Sequence, residues 1–280
     1  MNHSSSRSPA LTQKNRLRVV VLACTLAVQG TLWAQAKPDT LRALESKGIT
    51  VVGSFPAVGG LTAWAAYSGQ TPLALYATPD GKHMVAGTML DAKGEDVNQE
   101  ALEKAVAKPM SAGAWSQVER SAWIADGSDK ASKIVYVLTD PNCPYCNKLW
   151  ADARPWVDSG KVQLRHIMVG ILTPTSEGKA AALLADKSPS AALDKHERGN
   201  VAANAKVMAS GRPKPLSNDG LKPLDVVPPA IAAKLDANAK LMASLRLQAT
   251  PALIWRDANG KLQTRTGAPD NLLPAIFGPL

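Results

Sequence analysis

Cysteine is scarce: Cys24, Cys143 and Cys146 are all that 280 residues hold. Beyond residue 36 no stretch approaches the roughly 20 uninterrupted apolar residues of a membrane span. No internal repeat and no low-complexity tract is present. Lys and Arg are scattered, with no basic stripe interleaved with aromatics, so no nucleic-acid partner is expected. What the chain does have is core-forming material. Hydrophobic residues make up 45% of it, and its length suits one large or two ordinary domains.

The N-terminus is different in kind. Residues 1–18 carry Arg7, Lys14, Arg16 and Arg18 and no acid, Val19 to Trp33 are mostly apolar, and Ala34-Gln35-Ala36 supplies a small-x-small site. This pattern predicts a secretory signal peptide over residues 1–36, cleaved before Lys37. Its apolar run is short for an uncleaved anchor, and shorter still for a lipoprotein modified at Cys24. Cleavage leaves 28 basic against 23 acidic residues, a net charge near +5. It also leaves Cys143 and Cys146 as the sole cysteines of an exported protein.

Along the mature chain, Thr40 to Lys47 reads as a short helix stopped by Gly48. Four strands are expected over Ile49–Phe55, Leu61–Tyr67, Leu73–Thr78 and His83–Leu90, with Pro79-Asp80-Gly81-Lys82 as a hairpin turn. Residues 37–97 are thus expected to form a small antiparallel-sheet domain, a marginal core by itself. Asn98 is positioned to cap a helix through Ala101, Leu102, Ala105 and Val106. Pro109 and Gly113 are expected to interrupt it before a second helical stretch over Ala114–Ala125. Residues 98–130 therefore read as a largely helical linker that holds two domains apart.

The second domain is expected over 131–280. A buried strand over 133–139 ends at Asp140-Pro141-Asn142, and Cys143-Pro144-Tyr145-Cys146 opens a helix with Leu149, Trp150, Ala153, Trp156 and Val157 on one side. A strand follows over Val162–Ile171. Residues 174–247 look helical, with Ser176 and Ser188 as N-caps and Pro189 at a first helical position. Ala252–Arg256 and Leu262–Thr266 form a hairpin around Asn259-Gly260, and Asp270–Phe277 is a last helix.

Two cysteines separated by two residues at a helix start satisfy the needs of thiol–disulfide exchange. The helix N-terminus depresses the Cys143 thiol, in comparable motifs to roughly 3.5–7 against about 8.5 free. Cys146, one turn further in, can release a mixed disulfide. Pro144 and Tyr145 bring no acid or base and tune how favoured the disulfide is. A structural staple is a weaker reading, because so short a loop constrains the unfolded chain by only about 1.9 kcal/mol. A zinc site needs two more ligands, and His83, His166 and His196 lie at no recognised spacing from the pair. No cofactor is expected beyond the redox-active Cys143–Cys146 pair itself. Thr250-Pro251, just before a strand, reads as a cis-proline loop abutting the motif, with backbone groups free for an extended substrate peptide.

Taken together, these residues resemble the DsbC/DsbG family of periplasmic thiol:disulfide interchange proteins, closer to its DsbG branch. The Cys-Pro-Tyr-Cys motif carries the resemblance, with the runs Arg154-Pro-Trp-Val-Asp-Ser-Gly-Lys-Val-Gln-Leu-Arg165 and Thr78-Pro-Asp-Gly-Lys82. It implies a thioredoxin-like catalytic domain with a helical insertion at about 174–247, and a sheet domain that pairs two chains into a homodimer. It implies Cys143 as nucleophile, Cys146 as resolving thiol, and Thr250 and Pro251 as substrate-binding residues opposite them. Implied partners are misfolded or oxidised secreted proteins and a membrane electron donor of the DsbD kind. Implied activities are disulfide isomerisation or reduction, rescue of sulfenylated cysteines and chaperone-like holding. Asn142 departs from the apolar residue expected before the first cysteine; it is placed to cap the helix and to change the sulfur's exposure. The rival readings are a dithiol oxidase of the DsbA type, and a secreted chaperone or binding module with a non-catalytic cysteine pair.

Overall fold

The computed structural model describes residues 37–58, 61–267, 269 and 271–280. The expected signal peptide, with Cys24, lies outside them. Helix α1 (Asp39–Glu45) leads into a four-stranded antiparallel sheet of β1 (Thr50–Phe55), β2 (Thr62–Ser68), β3 (Thr71–Ala77) and β4 (Met84–Ala86), in that spatial order. Residues 63–67 of β2 are all buried, because both faces of this sheet are covered. Trp64, Ala66 and Leu75 pack with Leu41 of α1. Ala65 and Tyr67 pack with Val106 on the other face. The fourth strand is far shorter than the expected His83–Leu90. After Ala86 the chain turns away, and Leu90 forms only a bridge to Asp96.

Helix α2 (Gln99–Arg120) corrects the expectation of an interrupted connector. It runs unbroken through Pro109 and Gly113. A proline inside a helix costs about 3 kcal/mol. Val106, Trp115 and Val118 are all buried, at roughly 1.5–3 kcal/mol each, which outweighs it. Tyr67 Oη donates to the Pro109 carbonyl at 3.2 Å. Gly113 makes room for that ring, since a Cβ there would stand 2.8 Å from the hydroxyl. Asn98 does not cap the helix with its side chain; its Nδ2 donates to Tyr76 Oη at 3.1 Å.

The stretch expected to end a second connector helix is instead β5 (Trp123–Asp126), an edge strand of the second sheet. That sheet has the order β5-β7-β6-β8-β9, with β6 (Lys133–Thr139), β7 (Val162–Met168), β8 (Ala252–Arg256) and β9 (Leu262–Thr266). The pair β6–β7 is parallel and joined through α3 (Pro144–Asp152) and α4 (Arg154–Asp158); the other pairs are antiparallel. Val135, Val137 and Leu164 pack on Leu149, Trp156, Ile276 and Phe277 on one face, the last two from α8 (Leu273–Phe277). Tyr136, Leu138 and Ile254 pack on Trp115 and Val118 of α2 and on Leu241 and Met242 on the other. The small sheet also touches this domain directly, since Arg246 donates to Thr71 of β3, and α2 is tied to it where Leu262 N donates to Ser111 Oγ at 2.9 Å.

The region between β7 and β8 holds α5 (Ser176–Ala185), α6 (Pro189–Ala209) and α7 (Pro229–Ser244). Ser188 stands at the N-cap of α6 without a side-chain capping bond, and Pro189 is its first residue. Ser176 is inside α5, after the N-cap Thr175, and its hydroxyl is used elsewhere. Asn238 of α7 fastens this layer to the sheet. It accepts from Ala122 N at 3.1 Å and donates to Ala122 O and Met168 O at 2.8 Å each, entirely buried. Asn238→Ala takes this partner from the buried Met168 carbonyl and from the half-buried Ala122 N–H and carbonyl, and urea denaturation of the full chain is expected to show a loss of about 2–4 kcal/mol.

Candidate active site

The site grows from the end of β6. Asp140 is fully buried and its carboxylate gathers four donors. Oδ1 accepts from Asn142 N and Ser176 Oγ at 2.8 Å each, and Oδ2 from Ile171 N at 2.8 Å and Leu172 N at 3.0 Å. Four hydrogen bonds offset the cost of burying that charge. They also fix the turn before the cysteines against the loop after β7. Gly170 lets that loop pass α5, because a Cβ there would meet Glu177 Cα at 2.4 Å.

Cys143 is itself the N-cap of α3. Its backbone is extended, and its Sγ accepts from Cys146 N at 3.3 Å where a serine or aspartate oxygen normally sits. Pro144 takes the first helical position, where a missing N–H costs nothing. Only 2% of Cys143 is exposed, whereas Tyr145 stands half out of the surface. The Cys143 thiol is lowered to about 7. Its largest cause is the hydrogen bond from the Cys146 thiol, opposed by burial. The Thr250 side chain and the backbone N–H groups of Cys146 and Tyr145 add to the lowering. Burial and the neighbouring sulfur push Cys146 well above its ordinary value. One sulfur is poised as thiolate, the other held as thiol.

The Thr250–Pro251 peptide is cis, and it stands against the motif: Cys143 Sγ lies 3.4 Å from the Thr250 carbonyl. The Thr250 hydroxyl is buried and has no hydrogen-bond partner among the described residues. Contrary to expectation, the backbone here is partly engaged, because the Pro251 carbonyl accepts from Gly267 N at 2.8 Å.

Asn142 does not cap the helix. It is a buried hub whose Nδ2 faces Thr173 Oγ1 at 2.6 Å, Thr175 Oγ1 at 2.9 Å and Ser176 Oγ at 3.2 Å. Its Oδ1 accepts from Lys179 Nζ at 2.6 Å, and its carbonyl from Leu216 N at 3.0 Å. Lys179 is completely buried and donates also to Ser217 O at 2.6 Å; burial lowers its ammonium. From α6, His196 Nε2 donates to Pro141 O at 2.7 Å. Since a carbonyl only accepts, Nε2 carries the hydrogen, and burial holds the ring below its usual value. His166 lies between Thr139 Oγ1 at 2.9 Å and Asp126 at 3.4 Å. Both histidines are packed polar groups, as their places in a strand and a helix suggest. Trp150 and Trp156 are buried, as core residues of the active-site helices.

The residue that sequence reasoning missed is Glu197, 1% exposed. Asn147 Nδ2 donates both to its Oε2 at 2.7 Å and to its carbonyl at 2.8 Å. Asn204 in turn donates to Asn147 Oδ1 at 3.0 Å and to Pro144 O at 2.8 Å. Burial is the main cause that raises Glu197 to about 7. The signal that could have found it is a run of Asn and Glu at helical spacing, Glu197, Asn200 and Asn204, on the face that meets α3.

No protein-family model matches this chain. Two curated relatives do. One is the thiol:disulfide interchange protein DsbG of Pseudomonas aeruginosa, 44% identical over 247 residues, 88% of this chain and 90% of that protein. The other is the Escherichia coli protein of the same name, 36% identical over 253 residues, 90% and 94% of the two chains. The chain belongs to the DsbG family. As a member it is a thiol–disulfide oxidoreductase. Among solved structures, Helicobacter pylori DsbG is 19% identical, covering 77% of this chain and 97% of that one at a TM-score of 0.36.

In this DsbG-family chain the depressed Cys143 thiol makes a direct prediction. Its alkylation rate in the reduced protein is expected to reach half its plateau at about pH 7. The folded state binds fewer protons than the unfolded state from there up to the ordinary thiol range. Reduced wild type should therefore gain stability over Cys143→Ser as pH rises through that window, read by urea melts at several pH values.

Proposed function

We propose that this protein is a periplasmic disulfide isomerase and reductase working as a homodimer, with Cys143 as nucleophile and Cys146 as resolving thiol. The observation that carries the reading is the opposed setting of the two sulfurs, one held toward thiolate at the N-cap and one held as thiol a turn inside. The Cys143 thiolate attacks a client disulfide, a mixed disulfide forms, and the displaced client sulfur leaves as thiolate. If that client thiolate attacks a second client disulfide, and the sulfur so freed attacks the client sulfur bonded to Cys143, the client is isomerised and Cys143 leaves as thiolate. If Cys146 attacks Cys143, the client is reduced and the pair becomes a disulfide. A sulfenylated client cysteine enters by the same route, with water as the leaving group.

Pro144 and Tyr145 tune the balance between dithiol and disulfide, and Thr250 and Pro251 face the client. A membrane donor of the DsbD kind returns the pair to the dithiol state. Exposed Tyr145, Ile171 and Leu172 beside the motif support a chaperone-like hold on unfolded chains. For pairing of two copies, the support is the short edge strand β4 with its exposed Val85, and exposed Leu90 in the segment that follows it.

Cys143→Ser is expected to abolish insulin reduction, and Cys146→Ser to accumulate mixed disulfides with clients on non-reducing gels. Retained insulin reduction in Cys143→Ser would refute the assigned roles. Thiol alkylation of the protein taken directly from its compartment is expected to find the pair reduced; a fully oxidised pair would instead identify a dithiol oxidase.

A further inference from the structure

The segment from Asn204 to Leu216 begins and ends on the two residues that flank the nucleophile. At its start Asn204 Nδ2 donates to the Pro144 carbonyl at 2.8 Å, and at its end Leu216 N donates to the Asn142 carbonyl at 3.0 Å. Cys143 sits between those two carbonyls in the chain. What runs between the anchors is the end of α6 and then residues 210–215, all exposed, which include Arg212 and Lys214. Lys214 is two residues from the Leu216 anchor, a span of at most about 7 Å. Each of these two cations precedes a proline, which keeps the backbone extended at both.

A lone cation on a surface loop is ordinarily just solvated, but here the exposed charge around the site is all of one sign. Four segments frame Cys143: the turn and helix start 140–148, the loop 171–176, the span 204–217 and the cis-proline loop 246–251. Their one acid is Asp140, which is buried and gives its carboxylate to four donors. Their cations are Lys148, Lys206, Arg212, Lys214 and Arg246. Lys148 is paired with Asp152, and Arg246 donates to Thr71. Lys206 follows Asn204 by two residues, which turns it to the far side of α6. Arg212 and Lys214 form no ion pair among the described residues. Of the acids that border these segments, Glu177 is exposed and Asp219 already accepts from Ser217 Oγ at 2.9 Å.

We propose that Arg212 and Lys214 form a cationic lip that selects clients with acidic residues beside the sulfur under attack. This deepens the reading of Cys143 as nucleophile and rests on it. The lip acts before any bond forms. A nucleophile that attacks as a thiolate repels an acidic client, and two cations beside it offset that repulsion. Opposite charge on the client then raises the encounter rate and favours the approach that brings its sulfur to Cys143. Like charge does the reverse, so lysine-rich client segments are turned away. Both groups are exposed, so salt weakens the selection; at about 0.1 M the screening length is already about 10 Å.

The test uses the reduced full-length protein and two peptides that differ only in the residues flanking their single cysteine, Glu on both sides or Lys on both sides. That cysteine is joined to thiopyridine through a disulfide. The Cys143 thiolate attacks the peptide sulfur, the bond to the thiopyridine sulfur breaks, and thiopyridine leaves with the electron pair, so its absorbance gives the rate constant. Each rate is divided by that of the same peptide with mercaptoethanol, which removes the intrinsic reactivity of the peptide. In wild type at low salt the Glu peptide is expected to react about tenfold faster than the Lys peptide, and high salt should erase the difference. In Arg212→Glu/Lys214→Glu the preference should vanish or reverse. Because the two peptides are compared within one protein, damage to the Cys143 sulfur cancels and a merely structural effect leaves the ratio unmoved. Equal rates in wild type, a preference for the Lys peptide, or a Glu preference that survives the double substitution would overturn the proposal while leaving Cys143 as nucleophile. Release from neither peptide would overturn that role, and the lip with it.

Discussion

The sulfur of Cys143 closes the end of a helix, and the rest of the site depends on that. At an ordinary helix start a hydroxyl or carboxylate oxygen takes the orphan backbone N–H groups. Here the acceptor is the atom that performs the chemistry. Ionising the sulfur therefore improves the cap, and protonating it weakens the cap. Reactivity and local structure draw on the same bonds. Because the position of that sulfur follows from the position of one turn, the carboxylate of Asp140, holding the turn with four hydrogen bonds, is as much part of the site as the cysteines.

The two sides of the second sheet solve different problems. Its two faces are covered by apolar layers that need little more than shape and volume. The wall behind the motif is polar throughout, with Asn142, Asn147, Lys179, His196, Glu197 and Asn204 all buried. Burying such groups is expensive unless each finds a partner. Nearly every bond they make crosses between the helical insertion and the motif. The insertion thus acts as the rear wall of the redox centre rather than as an appendage.

Much of this was legible in the residues. The five-residue apolar strand Ile134–Leu138, the break at Asp140 and the apolar spacing after Cys146 describe β6, the turn and α3 with little ambiguity. A proline heading a strand pointed to the cis peptide at Thr250–Pro251. The continuity of α2 was not legible, because Pro109 and Gly113 are breakers by local chemistry and only packing on two sheets overrides them. The short strand β5 was hidden for the same reason. Four residues adjoining a helix carry no period of their own, and their pairing with β7 is a long-range fact. Glu197 and Lys179 were invisible because charged residues on helices ordinarily face water; nothing local says that another helix covers them.

The irregular segment between α6 and α7 shows how the site constrains parts of the chain far from it. Residues 210–228 contain four prolines and form no regular element, the kind of surface passage where length and composition usually drift. Yet this passage is anchored in its middle, through Leu216 N to the Asn142 carbonyl and Ser217 O to Lys179. Leu224 N donates to Gly178 O at 3.1 Å and Leu221 and Val227 pack on the insertion, so the passage is a loop pegged at 216–217 and held again on its C-terminal side. A reporter peptide or fluorophore inserted over the exposed residues 210–215 would ride on slack chain, while one placed at the peg would tug on the redox turn itself.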